Sequence, residues 1–206
     1  MQDVYKIKNL NEIDSPALIV YPAIIAENIR KTVEIAGGVK NLRPHVKTNK
    51  ISEVCHIMLQ AGIAKFKCAT VAEAEMLAML DVPDVLLAYQ PVGPKITRLL
   101  NLVEAYPQTS FSCLLDNISN ATLLQQACKE KDHVMRIYID LNVGMNRTGI
   151  YPDKAIDLIN HIRSLSHLQL AGIHGYDGHI HNENLEDRTI AANQSYNLVS
   201  SSTKLV

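Results

Sequence analysis

The stretch LRPHVKTNK, residues 42–50, decides between two folds that the rest of the sequence allows. It begins like a strand, with Arg43, His45 and Lys47 at alternate positions. Because side chains alternate across a strand, these three polar groups share one face, and burying them without partners would cost several kcal/mol. The stretch then runs into Thr48 and Asn49, without the glycine-rich turn that follows the first strand of a dinucleotide-binding fold.

Strand-like and helix-like segments alternate on both sides of this stretch. A strand-like segment at 16–21 precedes a helix that should begin at Pro22 and end at Gly37 and Gly38. The pattern predicts further strands at 41–46, 65–70, 84–89, 110–115, 134–141 and 168–176. It predicts the intervening helices at 51–61, 71–80, 93–105, 120–131 and 152–165, with a last one from about Asn184. Such alternation is typical of a parallel sheet flanked by helices.

An open doubly wound sheet and a (β/α)8 barrel both contain this alternation, and the missing glycine-rich turn favours the barrel. Counted from residue 41, the strands number six, and the chain has 206 residues, whereas the barrel typically needs about 250. We therefore expect an α/β fold, a TIM (β/α)8-type barrel that is incomplete, with about six strands. Residues 1–206 would form this one partial domain.

Composition excludes several classes of protein. Net charge is −1, which argues against a nucleic-acid partner, and there is no apolar run of the roughly 20 residues that a membrane span requires. The N-terminus is too polar for a signal peptide. The four cysteines lie far apart without a CxxC pair, as in a protein with reduced thiols. We expect a cytoplasmic protein.

Polar residues on inward faces indicate where a site would lie. In a (β/α)8 barrel alternate strand residues point inward, and the active site forms at the carboxyl ends of the strands. Lys47 would then stand at the barrel mouth, where a partly desolvated lysine beside other cations is suited to Schiff-base chemistry. On spacing alone, the alternative is a lysine that merely ends its strand in solvent. A later strand repeats the pattern, with a polar face made of Arg136, Tyr138, Asp140 and Asn142.

Five motifs occur in order along the chain: DSPALIVY (14–21), RPHVKTNK (43–50), CATVAEAEML (68–77), IDLNVGMNRTGI (139–150) and GYDGHIH (175–181). Together they resemble the N-terminal barrel of the D-threonine aldolase and D-serine dehydratase family. That family consists of pyridoxal-phosphate enzymes of the alanine-racemase fold type. The resemblance covers nearly the whole chain, and RPHVKT is its most specific part.

The resemblance implies roles for particular residues. Lys47 matches the lysine that carries pyridoxal 5'-phosphate as a Schiff base, and Lys50, beyond the strand end, fits that role less well. Arg147 matches the residue that approaches the phenolic oxygen of the cofactor, and Tyr176 the residue near its pyridine ring. His45 is a candidate for a hydrogen bond to the cofactor, with a satisfied core histidine as the alternative.

Other polar residues are weaker candidates. His179 and His181 follow Tyr176 in the same loop and are candidates for supporting groups, and the strand-end residues Gln90, Asp116 and Asn142 are weaker still. Asp140 has the spacing to pair with Arg136 or Arg43. One departure from the family is Asn49, which stands where the family has a histidine in KTHK. This puts in doubt any proton transfer that the family histidine serves.

The resemblance implies a pyridoxal-phosphate-dependent lyase that acts on D-β-hydroxy-amino acids, like D-threonine aldolase, by retro-aldol cleavage to glycine and an aldehyde. A D-serine dehydratase-like lyase, a non-catalytic pyridoxal-phosphate-binding protein and an incomplete fragment remain alternatives. A divalent metal is expected in the full-length protein, with its ligands in a C-terminal β domain that is absent from this chain. By the same analogy, the partners are a small D-amino acid substrate and a second copy of the chain in a homodimer.

Overall fold

Five parallel strands form the sheet in the computed structural model, which describes residues 5–203. The strands are β1 (Lys65–Cys68), β2 (Asp84–Leu87), β3 (Ser110–Leu115), β4 (Met135–Leu141) and β5 (Leu168–Gly175). They are hydrogen-bonded in chain order, each parallel to the next. Consecutive strands of a (β/α)8 barrel have this arrangement, in agreement with the expected fold.

Helices connect the strands and cover the outside of the sheet. They are α1 (Pro22–Ile35), α2 (Ser52–Gln60), α3 (Val71–Ala78), α4 (Pro94–Ala105), α5 (Ile118–Glu130), α6 (Ala155–Arg163) and α7 (Leu185–Thr203). Short 3-10 helices lie at Leu10–Glu12, Val39–Asn41, Val46–Thr48 and Pro152–Lys154. All the predicted helices and the five strands from β1 to β5 are confirmed, with each end within three residues of its expected position.

The predicted strand at 41–46 is reduced to a single bridge between His45 and Lys67. The Pro44 carbonyl accepts a hydrogen bond from the Lys67 N–H at 2.9 Å, but proline has no N–H to donate in return. The backbone then turns into the 3-10 helix Val46–Thr48 and leaves the sheet. The sheet therefore has five strands rather than about six, although this segment still lies beside β1.

The strand-like segment at 16–21 forms no strand. Leu18 is 77% exposed, and Ile19 and Val20 are also exposed. Branched and aromatic side chains favour strands only where a neighbouring strand supplies hydrogen bonds and packing. Among the described residues nothing pairs with this segment, so its composition alone does not make it a strand.

The hydrophobic core lies between the outer face of the sheet and the helices. Alternate strand residues are fully buried there against aliphatic side chains of the helices, as the period of two requires. The strand residues include Phe66, Cys68, Val85, Cys113, Ile137 and Ile139, and the helix residues include Leu77, Leu99, Leu124 and Leu158. The four cysteines are buried and unpaired, as expected for reduced thiols.

The inner face of the sheet carries an ion-pair cluster centred on Asp84. Its carboxylate accepts two hydrogen bonds from Arg43, at 2.6 and 3.1 Å, and lies 3.6 Å from Arg136 Nη1. Arg136 also donates to Ser110 Oγ at 2.8 Å. The expected pairing of Asp140 with Arg136 or Arg43 is therefore wrong, because Asp84, on β2, pairs with both guanidinium groups.

Replacing Asp84 with alanine is expected to lower the free energy of unfolding by about 2 kcal/mol, because two partly buried guanidinium groups lose their counter-ion. Urea denaturation followed by circular dichroism measures the change. Glu27→Ala is the matched control, since Glu27 also contacts Arg30 through two hydrogen bonds but on the exposed surface of α1. That variant should unfold like the wild type, and equal losses in both variants would contradict a special role for Asp84.

Candidate active site

A cavity of about 240 Å³ opens at the carboxyl ends of the strands, where (β/α)8 barrels carry their active sites. Residues from the segment before Lys47 and from all five strand ends contribute to it. The lining residues are His45, Lys47, Lys67, Ala69, Ala88, Tyr89, Leu114, Asp140, Arg147, Thr148, His174 and Tyr176. The structure thus brings together the four residues selected from the sequence, Lys47, Arg147, Tyr176 and His45.

Lys47 reaches the cavity from the 3-10 turn that follows the bridge at His45. Val46 is 1% exposed and anchors this turn in the core, so its neighbour Lys47 is directed away from the core. Lys47 Nζ lies 5.5 Å from the centre of the Tyr176 ring, and the Arg147 guanidinium lies 5.4 Å from the same centre. Both are within cation–π distance, so one aromatic ring contacts two cations.

The loop that carries Arg147 is folded around the side chain of Asn142. Asn142 Oδ1 accepts hydrogen bonds from the N–H groups of Gly144 and Asn146, both at 3.1 Å, and its Nδ2 donates to Asn146 Oδ1 at 2.9 Å. Gly149 has a φ of 99°, and a Cβ there would lie 2.6 Å from the Asn142 nitrogen. Asn142 therefore shapes the loop and does not line the cavity.

Hydrogen bonds link the ends of four strands behind the cavity. The Gln90 amide nitrogen donates to Asp116 and to Asp140, both at 2.9 Å, and Asp140 also contacts His174 Nδ1 at 2.8 Å. Asp116 accepts a further bond from the Gly149 N–H at 3.1 Å. Because Asp140 is 3% exposed, these contacts satisfy a carboxylate that could not otherwise be buried.

Lys67 and His174 also line the cavity, although the sequence analysis did not identify them as candidates. Lys67 alternates with Phe66 and Cys68, which are fully buried, and His174 lies two residues before Tyr176. Both residues lie at the alternate strand positions that predict inward-facing side chains, so this pattern could have identified them. The motifs that carry the family resemblance did not single them out.

Burial and neighbouring cations set the protonation of the cavity. Burial, followed by the charges of Lys47 and Lys67, lowers the pKa of His45 to about 4. His45 is therefore neutral at neutral pH, and its Nδ1 accepts a hydrogen bond from the Lys47 N–H at 3.2 Å. Burial also lowers the pKa of Lys67, helped by the charges of Lys47 and Arg43.

The remaining candidates lie outside the cavity lining. Lys50 Nζ is 3.7 Å from the Glu73 carboxylate, and His181 is exposed. The His179 ring packs on Gly144, where a Cβ would lie 2.5 Å from Nε2.

Asn49 does not line the cavity either. Its Oδ1 accepts the Ile51 N–H at 3.2 Å, so it stabilises the chain just before α2.

Residues 20–202 match the model of the family "Alanine racemase, N-terminal domain". The chain therefore belongs to this family. It is 26% identical over 200 residues to D-threonine aldolase from Arthrobacter sp, covering 96% of this chain and 52% of that protein. It is 28% identical over 186 residues to 3-hydroxy-D-aspartate aldolase from Paracoccus denitrificans strain Pd 1222, covering 86% and 47%.

The crystal structure of D-threonine aldolase from Filomicrobium marinum superposes with a TM-score of 0.84 at 26% identity, over 94% of this chain and 53% of that one. This likeness confirms the expected barrel fold. The chain spans about half the length of the relatives that it matches.

Within residues 5–203, no three His, Cys, Asp or Glu side chains are grouped so that they could hold a metal ion. The same residues include no helix with the length and apolar character needed to cross a membrane.

Replacing Lys47 with methionine is expected to raise the pKa of His45 above its value of about 4, because a nearby positive charge is removed. An NMR titration of the imidazole signals measures this pKa. Lys50→Met, which removes a lysine outside the cavity, should leave the value unchanged. A pKa that stays near 4 after the loss of Lys47 would show that this charge does not reach His45.

The lowered pKa of His45 also fixes the direction of a pH effect on stability. In the unfolded chain His45 has its ordinary pKa of 6.5, so on acidification the unfolded state binds the proton first. The contribution of His45 to stability is therefore complete above about pH 6.5 and is lost as the pH falls towards about 4. Urea midpoints measured across this range should fall with pH, and less steeply for Lys47→Met.

Proposed function

We propose that this chain is the cofactor-binding barrel of a pyridoxal-phosphate-dependent lyase that cleaves D-β-hydroxy-amino acids in the manner of D-threonine aldolase. The observation that carries the proposal is the Lys47 amine, which lies in the cavity 5.5 Å from the Tyr176 ring. Membership of the family and the names of the relatives support the choice of reaction. In this proposal residues 1–206 form a partial barrel, and a C-terminal β domain completes the enzyme.

The described residues fit the aldehyde, ring and phenolic oxygen of the cofactor. Lys47 makes no ion pair with any residue from 5 to 203, Tyr176 offers an aromatic face, and Arg147 lies beside that face. When bound, pyridoxal phosphate condenses with an amine through its aldehyde and withdraws electrons from the Cα of an amino acid. Phosphate sites of this fold commonly follow strands seven and eight, beyond the last strand among residues 5–203.

Each cavity residue then has a task. Lys47 would hold the cofactor covalently, Arg147 would donate hydrogen bonds to the phenolic oxygen, and Tyr176 would pack against the ring. His45 accepts at Nδ1, so its proton is on Nε2, which is available as a donor. At neutral pH this imidazole carries no charge that would repel the two cations.

The choice between aldolase and dehydratase depends on which bond to Cα breaks. An aldolase removes the proton of the β-hydroxyl group and cleaves Cα–Cβ, whereas a dehydratase removes the Cα proton and expels the hydroxyl. We propose the aldolase because D-threonine aldolase and 3-hydroxy-D-aspartate aldolase are among the relatives matched over most of this chain. We place the divalent metal that the resemblance implies outside these residues.

Borohydride reduction after addition of pyridoxal phosphate should attach a pyridoxyl group to Lys47, and peptide mapping by mass spectrometry locates it. Lys47→Ala should abolish this labelling and the absorption band of the bound cofactor. Lys50→Ala is the matched control, because Lys50 is three residues away but outside the cavity, and it should label normally. Labelling of Lys67 in the wild type in place of Lys47 would overturn the assignment.

A protein that joins this barrel to a C-terminal β domain should convert D-threonine to glycine and acetaldehyde. We expect Lys47→Ala to lower kcat by at least about a thousandfold, because the covalent route is lost. Chromatography of the products makes the measurement. A 2-oxo acid and ammonia from D-serine would instead identify a dehydratase, and bound cofactor without any product would identify a binding protein.

We also propose a homodimer located in the cytoplasm. Four buried, unpaired thiols support a reducing compartment, and the family analogy supports the dimer. Light scattering of the purified protein determines the mass in solution.

A further inference from the structure

Lys67 occupies a fixed position in the wall of the cavity. It lies on β1 between Phe66 and Cys68, which are fully buried in the core, so its side chain is on the inner face of the sheet. Its N–H donates to the Pro44 carbonyl at 2.9 Å, and its other neighbour in the sheet is Leu86 on β2. A lysine held on a paired strand presents its amine at a defined place.

The Lys67 amine has no hydrogen bond or ion pair among residues 5–203. By contrast, Arg43, another cation of the inner face, pairs with Asp84 at 2.6 Å. Asp140 is the one carboxylate among the lining residues, and His174 and Gln90 already occupy its two oxygens. Burial, followed by the charges of Lys47 and Arg43, lowers the pKa of Lys67, and the carboxylates of Asp140 and Asp177 offset this only in part.

A cationic side chain is seldom kept in a partly buried place without a counter-ion, because the loss of hydration is not recovered. Lys47, Lys67 and Arg147 give the cavity three cations against the single carboxylate of Asp140. The site is therefore suited to an anionic ligand. The proposed cofactor brings one anion, but the phosphate sites of this fold are usually built by loops after strands seven and eight, whereas Lys67 belongs to the second strand position.

We infer that Lys67 forms a carboxylate-binding subsite that holds a carboxylate of the amino acid substrate. This inference rests on the proposed function and extends it to the choice of substrate. Two carboxylates have this chemistry, the α-carboxylate of every amino acid and the side-chain carboxylate of a diacid such as 3-hydroxy-D-aspartate. A single ammonium group on a rigid strand can bind either by a charge-assisted hydrogen bond.

Lys67→Met tests the subsite, because methionine keeps the length of the side chain and removes its charge. Lys65→Met is the matched control, since Lys65 lies on the same strand and the same face, two residues away, and does not line the cavity. The probe is malonate, a dicarboxylate without an amine, titrated by calorimetry into the chain with and without pyridoxal phosphate. Loss of Lys67 should weaken malonate binding about ten- to hundredfold, and loss of Lys65 should leave it unchanged.

Kinetics at saturating cofactor identify the carboxylate. An equal fall in kcat/KM for D-threonine and for 3-hydroxy-D-aspartate in Lys67→Met assigns the α-carboxylate. A fall of about tenfold or more for the diacid alone assigns the side-chain carboxylate, and either result supports the subsite. Lys67→Arg keeps the charge and should retain malonate binding, which shows that the methionine variant fails through charge and not through misfolding.

Two results would overturn the subsite. One is unchanged malonate affinity and unchanged kcat/KM in Lys67→Met. The other is a tenfold weaker affinity for pyridoxal phosphate but not for pyridoxal, which would assign Lys67 to the phosphate. Malonate binding is also measured without cofactor, so the test of the subsite is independent of the test of the proposed function. Failure of the proposed function would be seen as the absence of a pyridoxyl label on Lys47.

Discussion

A single backbone hydrogen bond, from the Lys67 N–H to the Pro44 carbonyl, positions the centre of the site. It holds the segment before Lys47 against the edge of β1, although Pro44 cannot extend the pairing into a full strand. The core contact of Val46, 1% exposed, then fixes the turn that follows. Without this attachment Lys47 would belong to a surface loop, and its amine would have no defined distance to Tyr176.

The interior of the barrel has two electrostatic layers. In the lower layer, Asp84 pairs with both Arg43 and Arg136, and Arg136 also donates to Ser110, so each guanidinium group has partners within the fold. In the upper layer the cations of the cavity exceed its one carboxylate, which is itself occupied by hydrogen bonds. Because a buried charge without a partner lowers stability, we infer that the upper layer binds a ligand, whereas the paired groups of the lower layer stabilise the fold.

The local pattern of the sequence predicted most elements, since alternation and helical periodicity are properties of neighbouring residues. It did not predict that 41–46 would form only a bridge, because that depends on what the proline can donate to a neighbour. The pairing of Asp140 with His174 could not be predicted from the sequence either. The register between β4 and β5 shifts at Ile137 and Tyr138 and places Asp140 opposite His174, and this register is a tertiary property.

Asn49 has a structural role outside the cavity. The Asn49 carboxamide binds the Ile51 N–H and does not line the cavity, so in this chain the position serves the start of α2. The cavity nevertheless contains two imidazoles. With a pKa of about 4, His45 is a poor proton acceptor at neutral pH. His174 is oriented by Asp140 through Nδ1, which leaves Nε2 without a hydrogen bond among residues 5–203. His174 is therefore a cavity imidazole with a fixed orientation and a ring nitrogen open to a ligand.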